Sequence, residues 1–252
     1  MKILSFNIRI DNPKDEFNAW EYRKNAVIDY INNQDASVIF LQEVNEKQFA
    51  DINAGVKEKW SIVWFKREIV NTEGLAILFD NTLYSKENHY VFWLSPTPHV
   101  MSKGWGAMCY RICLALSLKD KNGKIISLYN VHLDHKSIDA RNNSIKLILE
   151  RLNSEGVNVV AGDFNTNDDS ECYGIISSNM QDCQKAVKNA KNCNTFHKWG
   201  TIVGGKPIDF IFVDNCVKVV NFSILESDRF VNDQGEERFL SDHFAIKTEI
   251  KY

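Results

Sequence analysis

Val157-Asn158-Val159-Val160-Ala161-Gly162-Asp163-Phe164-Asn165-Thr166 is the stretch on which the reading of this chain turns. It opens as a short, β-branched apolar run, the composition of a strand buried on both faces. The polarity then changes abruptly at Gly162, Asp163 and Asn165. Glycine allows a tight turn, and in a chain extended through Phe164 the two polar side chains point to the same side. A carboxylate and a carboxamide fixed at the rim of a rigid sheet can orient a water molecule and a phosphate oxygen. Taken alone, the stretch reads more simply as a strand closing in an Asp/Asn turn.

The pattern recurs. Lys2-Ile3-Leu4-Ser5-Phe6 ends on Asn7, Ser37-Val38-Ile39-Phe40-Leu41-Gln42 ends on Glu43, and Ile125-Ile126-Ser127-Leu128-Tyr129-Asn130-Val131 ends on His132 and Asp134. Three other runs carry polar residues at their N-terminal ends instead: Glu73 before Gly74-Leu75-Ala76-Ile77-Leu78-Phe79, Asp209 before Phe210-Ile211-Phe212-Val213, and Asp242-His243 before Phe244-Ala245-Ile246. If the second group of strands runs antiparallel to the first, all of these side chains land on one edge. That geometry points to a single site.

Between these runs, periodicity predicts helices over 20–32, 46–54, 136–153 and 171–178, and strands over 2–9, 37–43, 60–66, 75–79, 83–94 and 124–133. Trp20 and Arg23, at a helix start, read as packing residues, with substrate contact the competing reading. Pro96 and Pro98 end strand pairing. Gly104-Trp105-Gly106 suggests a flexible loop presenting an aromatic side chain, either as a lid or folded back on the core. Residues 180–205 are polar and irregular and are the expected seat of specificity. No internal repeat or linker appears, so a single domain over 1–252 is expected. The element order suggests an α/β fold in which two mixed sheets pack together with helices outside.

Asn7, Gln42-Glu43, Asn130-Val131-His132-Leu133, Gly162-Asp163-Phe164-Asn165, Ile208-Asp209-Phe210-Ile211 and Ser241-Asp242-His243 together resemble the signature set of the endonuclease/exonuclease/phosphatase superfamily. Its members include pancreatic-type deoxyribonucleases, abasic-site endonucleases, neutral sphingomyelinases, inositol polyphosphate 5-phosphatases and nocturnin-type deadenylases. Each motif is weak by itself; six in this order, spanning nearly the whole chain, are strong. The chain looks most like the compact bacterial members. The resemblance implies a deoxyribonuclease-like four-layer α/β/β/α sandwich of two mixed, largely antiparallel sheets, and hydrolysis of a phosphoester.

Such hydrolysis needs charge neutralisation at the phosphoryl oxygens, an aimed water and a stabilised leaving oxygen. Glu43 is the leading ligand for Mg²⁺, or Mn²⁺, both of which favour hard oxygen donors. Asn7 is a neutral oxygen ligand or a phosphate donor, and Asp242 is expected to face the metal. Asp163 is expected to orient and deprotonate the attacking water, with Asn165 donating to a phosphate oxygen. His243 stabilises developing charge or transfers the proton, held by Asp209 through its other nitrogen. Whether Asp163 or His243 is the base stays open. His132 acts as general acid or phosphate clamp, with Glu73 its partner, as in the deoxyribonuclease branch. Arg111, Arg141, Trp105 and His197 are candidate substrate contacts; for Arg111 a salt bridge is the competing reading, and for His197 a loop histidine outside the pocket. The run Ser241-Asp242-His243 is no nucleophilic triad, because neighbours on a strand face opposite sides.

The chain has 252 residues, 44% of them hydrophobic, and a net charge of −3. Proteins that clamp long duplex DNA usually carry a basic face. No Lys/Arg-rich block is present, which favours a small or short phosphorylated substrate, or short single-stranded nucleic acid. Six cysteines without CxxC spacing point to reduced thiols rather than a zinc site. Met1-Lys2-Ile3-Leu4 passes directly into the first strand, and no apolar run approaches a membrane span. A cytoplasmic enzyme with no implied protein partner is expected, more a phosphodiesterase than a monoesterase. The competing class is a catalytically silent scaffold of the same fold. Such a protein would have lost at least one of Glu43, Asp163, Asn165, Asp209 or His243, and none is missing.

Overall fold

Each of the two sheets is built around a parallel pair of strands flanked by antiparallel ones. The structure is a computed structural model that describes residues 1–70 and 73–252. In the first sheet, β1 (Lys2–Asn7) lies parallel to β2 (Val38–Val44). Beyond them run β4 (Gly74–Asp80) and β3 (Trp60–Lys66) on one side, and β14 (Ile246–Lys251) and β11 (Lys218–Ile224) on the other, in the order β11-β14-β1-β2-β4-β3. In the second sheet, β7 (Ile125–His132) lies parallel to β8 (Val157–Asp163). β6 (Ile112–Asp120) and β5 (Tyr84–Trp93) flank one side, β10 (Asp209–Val213) and β9 (Gln181–Asp182) the other, in the order β5-β6-β7-β8-β10-β9.

The central strands are buried on both faces, which is why they read as continuous apolar runs rather than alternating ones. One face of each sheet packs on the other sheet, with Ile3, Val38 and Phe40 in the same cluster as Leu114, Leu128 and Val159. On the outer face of the first sheet, Leu4, Phe6 and Ile39 meet Trp20, Val27 and Ile31 of α1 (Trp20–Asn33), with Ile52 of α2 (Glu46–Gly55) beside them. On the outer face of the second, Tyr129, Val131 and Val160 meet Ile145 and Ile148 of α3 (Ile138–Leu149) and Ile176 of α4 (Glu171–Ser177). The result is the α/β/β/α layering expected from the sequence. Asn45 and Gln48 form a capping box at the start of α2, and Ser137 and Ser170 cap α3 and α4.

One polar fastener crosses the intersheet core. Asn130 of β7, fully buried, donates to the carbonyls of Leu41 (2.9 Å) and Ala76 (2.8 Å) on the opposite sheet, while its own oxygen accepts from Gln42 Nε2 (2.8 Å). Buried amides of this kind are costly unless paired, so the bonds set the register between the sheets near their active ends.

The expected boundaries move inward at several places. The first strand stops at Asn7 rather than residue 9 because Arg9 takes a positive φ of 57°. The helix expected over 136–153 spans Ile138–Leu149. The short β9, the one-turn α5 (Cys183–Ala186) and the hairpin of β12 (Arg229–Val231) and β13 (Glu237–Phe239) carry no strong pattern, and composition does not announce them. Among the described residues, all six cysteines are free and no helix is long and apolar enough to cross a membrane.

Candidate active site

The expected convergence is present. Strands β1, β2, β7 and β8 end at the same edge, and β10 and the segment before β14 begin there, running antiparallel to β8 and β1. Asp163 is the register partner of both His132 and Asp209. Gly162 makes that pairing possible: with φ at 144°, a Cβ there would lie 1.9 Å from the Val131 carbonyl oxygen, so only glycine fits.

Asn7 joins the two sheets at the site. Its Nδ2 donates to Glu43 Oε1 (3.2 Å) and to Asp163 Oδ2 (3.0 Å), while its Oδ1 accepts the Arg9 N–H (3.0 Å). His132 Nε2 lies 3.5 Å and His243 Nε2 3.8 Å from the same Asp163 Oδ2. His243 Nδ1 meets Asp209 Oδ2 at 2.9 Å, the carboxylate–imidazole pair anticipated from the sequence. Ligand-type atoms of Asp163, Asp209 and His243 all lie within 4.8 Å of one another.

The two imidazoles differ in charge. Burial alone would lower the His243 pKa, but the charges of Asp209, Asp163 and Asp242 and the bond to Asp209 outweigh it and raise it to about 10. His132, equally enclosed, is driven down to about 3 by burial, reinforced by the Arg111 charge. At neutral pH, His243 is therefore an imidazolium and His132 a neutral ring. Burial and the neighbouring Asp209 charge push the Asp163 carboxyl up, opposed by both histidines. Burial also raises Asp242, against the pull of His243, and the Glu43 charge adds to the rise. Four carboxylates thus crowd an enclosed edge, and Asp209 Oδ1 is buried with no partner. A crowded set of hard carboxylate oxygens of this kind fits a divalent cation such as Mg²⁺.

Several expected contacts are placed differently. The chain does not stay extended through Asn165: that residue has φ 50°, donates its N–H to Asp163 Oδ1 (2.8 Å) and its Nδ2 to the Leu133 carbonyl (3.0 Å). Asn7 turns its amide nitrogen, not its oxygen, toward Glu43. Glu73 is within 3.3 Å of His132 Nδ1, but its close partner is Arg67 (2.7 Å), and His132 Nδ1 has no hydrogen bond. Arg111 also turns to Glu73 (3.4 Å), so the salt-bridge reading holds for it. Arg141 donates to the Asp134 carbonyl (2.8 Å).

The Trp105 loop is fastened down. Asp134 accepts the N–H groups of Met108 (2.9 Å) and Cys109 (3.1 Å), and Ser137 Oγ donates to the Trp105 carbonyl (2.6 Å). His197 is buried in an aromatic stack, 4.0 Å from the Phe244 ring and 4.4 Å from that of Phe239, and lines a small cavity together with His243.

Two arginines at the site carry no motif that would announce them. Arg9 pairs bidentately with Asp15 (2.8 and 2.9 Å) and lies 3.8 Å from Asp242, supplying positive charge at the carboxylate edge. Arg23, only 1% exposed, donates to the carbonyls of Ile8 (2.5 Å), Arg9 (2.7 Å), Asn18 (2.8 Å) and Leu240 (3.0 Å). It thereby ties the turn after β1 to the residue preceding Ser241-Asp242-His243. Arg23→Met would strand these carbonyls, and a loss of about 3 kcal/mol or more is expected. Urea denaturation should show a lower midpoint with an unchanged slope.

An endonuclease/exonuclease/phosphatase structure from Bacteroides vulgatus is 32% identical to this chain; 99% of this chain and 98% of that one superpose with a TM-score of 0.89. The mannosyl-6-phosphatase Bt3783 of Bacteroides thetaiotaomicron is 25% identical, covering 100% of both chains, with a TM-score of 0.88. D. rerio TDP2, solved with a single-strand DNA product, shares the fold at 15% identity and a TM-score of 0.76, covering 100% of this chain and 99% of that one. The sequence profile of the Endonuclease/Exonuclease/phosphatase family matches residues 4–243, nearly the whole chain, and the chain belongs to that family.

Proposed function

We propose that this protein is a Mg²⁺-dependent hydrolase of small phosphate esters, with a sugar phosphate monoester as its substrate class. The observation that carries the catalytic part is the Asn7 amide bridging Glu43 and Asp163 beside the His243–Asp209 pair. Glu43 and Asp242, both in the field of the Arg9 charge and outside the Asp209–His243 bond, are the side chains that would hold the metal. When bound, that ion neutralises charge on the phosphoryl and leaving oxygens. Mn²⁺, with the same taste for oxygen ligands, is expected to substitute.

Asp163 takes the proton of the attacking water. His243 already carries a proton at neutral pH and is better suited to stabilise the charge that builds on phosphorus-bound oxygen. Asp209 holds the imidazolium in place through Nδ1. Neutral His132 donates from Nε2 to a non-bridging oxygen. The second amide hydrogen of Asn165, the one not spent on Leu133, serves the same purpose.

The sequence pattern alone favours a diester. Full-length similarity to a sugar phosphatase, together with a net charge of −3 and no basic block, supports a small monoester instead. Kinetics with Mg²⁺ on hexose phosphates, inositol phosphates, nucleoside monophosphates, dinucleotides, single-stranded oligonucleotides and bis-p-nitrophenyl phosphate test the choice. The highest kcat/KM is expected on a hexose 6-phosphate. A higher value on dinucleotides or oligonucleotides would make the protein a phosphodiesterase or nuclease.

A further inference from the structure

The segment Thr195-Phe196-His197 has no role in the chemistry described so far, yet it touches both carriers of the charged imidazole pair. Thr195 is fully buried. Its Oγ1 accepts the N–H groups of Ile208 (3.0 Å) and Asp209 (3.2 Å), and its carbonyl accepts the N–H of Phe244 (2.7 Å). Phe196 forms an isolated antiparallel bridge with His243, and the rings lie 5.0 Å apart. The N–H groups of His197 and Lys198 both donate to the Asp242 carbonyl (2.9 and 3.1 Å).

Asp209 opens β10 of one sheet, and His243 lies just before β14 of the other. Among the described residues, Thr195 is the side chain that bonds the main chain on the Asp209 side while its own main chain bonds the residue after His243. We propose that Thr195 is a positioning residue that sets the distance between Asp209 and His243. It does so through its hydroxyl oxygen, a single acceptor serving two neighbouring N–H groups at the start of β10. The inference rests on the reading that the Asp209–His243 pair takes part in hydrolysis.

A valine at 195 keeps the shape and removes the acceptor, leaving two enclosed donors to find new partners by shifting the start of β10. Displacements near 1 Å in a catalytic constellation cost about a hundredfold in rate. The expected result is that Thr195→Val lowers kcat on the best substrate by about thirtyfold to a hundredfold with KM changed by less than about twofold. Thr195→Ser, which keeps the oxygen, should stay within about threefold of wild type, as an intact hydrogen bond predicts.

The direct structural readout is the His243 Nδ1–H proton resonance. It should sit far downfield in wild type and in Thr195→Ser, and shift upfield or broaden in Thr195→Val. His243→Ala serves as the reference for the underlying reading: if that variant keeps wild-type kcat, the catalytic pair itself is misassigned, whatever Thr195 does. If His243→Ala is inactive while Thr195→Val retains wild-type kcat and resonance, the positioning role is wrong. Equal loss in the valine and serine variants would also overturn it, because the missing methyl rather than the acceptor would then be responsible. Should Thr195→Val not fold, Thr195→Cys, which fills the site but accepts poorly, is judged by the same results.

Discussion

Asp163→Asn is expected to lower kcat by about a thousandfold, the middle of the range for removing a general base, while leaving the protein folded. The reason lies in how completely the carboxylate is used. One oxygen, Oδ2, takes the Asn7 amide and faces both imidazoles; the other accepts the Asn165 N–H. An asparagine fills the same volume and can keep the Asn165 bond. It cannot accept a proton from water, and its NH₂ would oppose the Asn7 NH₂. Burial already disfavours the charged carboxylate at this position. Neutralising it therefore removes a desolvation cost, and the thermal midpoint should stay level or rise. Steady-state kinetics and a melting curve on the same preparation check both halves. A variant within about tenfold of wild-type kcat would remove Asp163 from the reaction.

Chelation should abolish activity altogether. EDTA is expected to bring hydrolysis to background, with full recovery on adding excess Mg²⁺. Glu43→Gln should raise the Mg²⁺ concentration needed for half activity by about tenfold or more, the order seen when metal-site groups are altered. The physical basis is the concentration of carboxylates at an enclosed edge, where Arg9 and Arg23 offset Asp242 from the cationic side. Glu43 is also held in a left-handed conformation, φ 60°, that few side chains adopt, and its Oε2 accepts the Ile10 N–H (2.9 Å). Strain of this kind is maintained where placement matters. Magnesium titrations of wild type and Glu43→Gln measure the effect; an unchanged half-activation point would assign the ion to other ligands.

The layering and the single edge are legible in the sequence because strand polarity follows from composition and strand ends are marked by a sudden change to polar residues. That logic places Asn7, Glu43, His132, Asp163 and Asp209 without any contact information. It does not reach the backbone turns at or just beyond the strand ends. Arg9, Glu43 and Asn165 all take positive φ without being glycine, and no composition signal announces that. Asn165 therefore turns back to Leu133 rather than continuing beside Asp163.

The supporting residues are hidden for a different reason. Arg23 and Thr195 act on main-chain carbonyls and N–H groups, whose positions exist only once distant segments have folded together. Arg111 reads as a salt-bridge candidate from its place at a strand entrance, yet its carboxylate partner Glu73 is shared with Arg67, which no local pattern reveals. His197 reads as a loop histidine because the aromatic residues that enclose it, Phe239 and Phe244, are far away in sequence.

In the proposed mechanism Asp163 and His243 act on a water molecule and not on a protein nucleophile, and the stereochemical course at phosphorus tests that most directly. A phosphorothioate monoester made chiral at phosphorus with one heavy oxygen isotope would be hydrolysed in water carrying another, and the configuration of the thiophosphate product read by phosphorus NMR. One in-line displacement by water inverts the configuration, and inversion is the predicted result. Retention would require two displacements through a phosphorylated side chain, and would contradict Asp163 as the base toward water and His243 as the stabiliser of its attack.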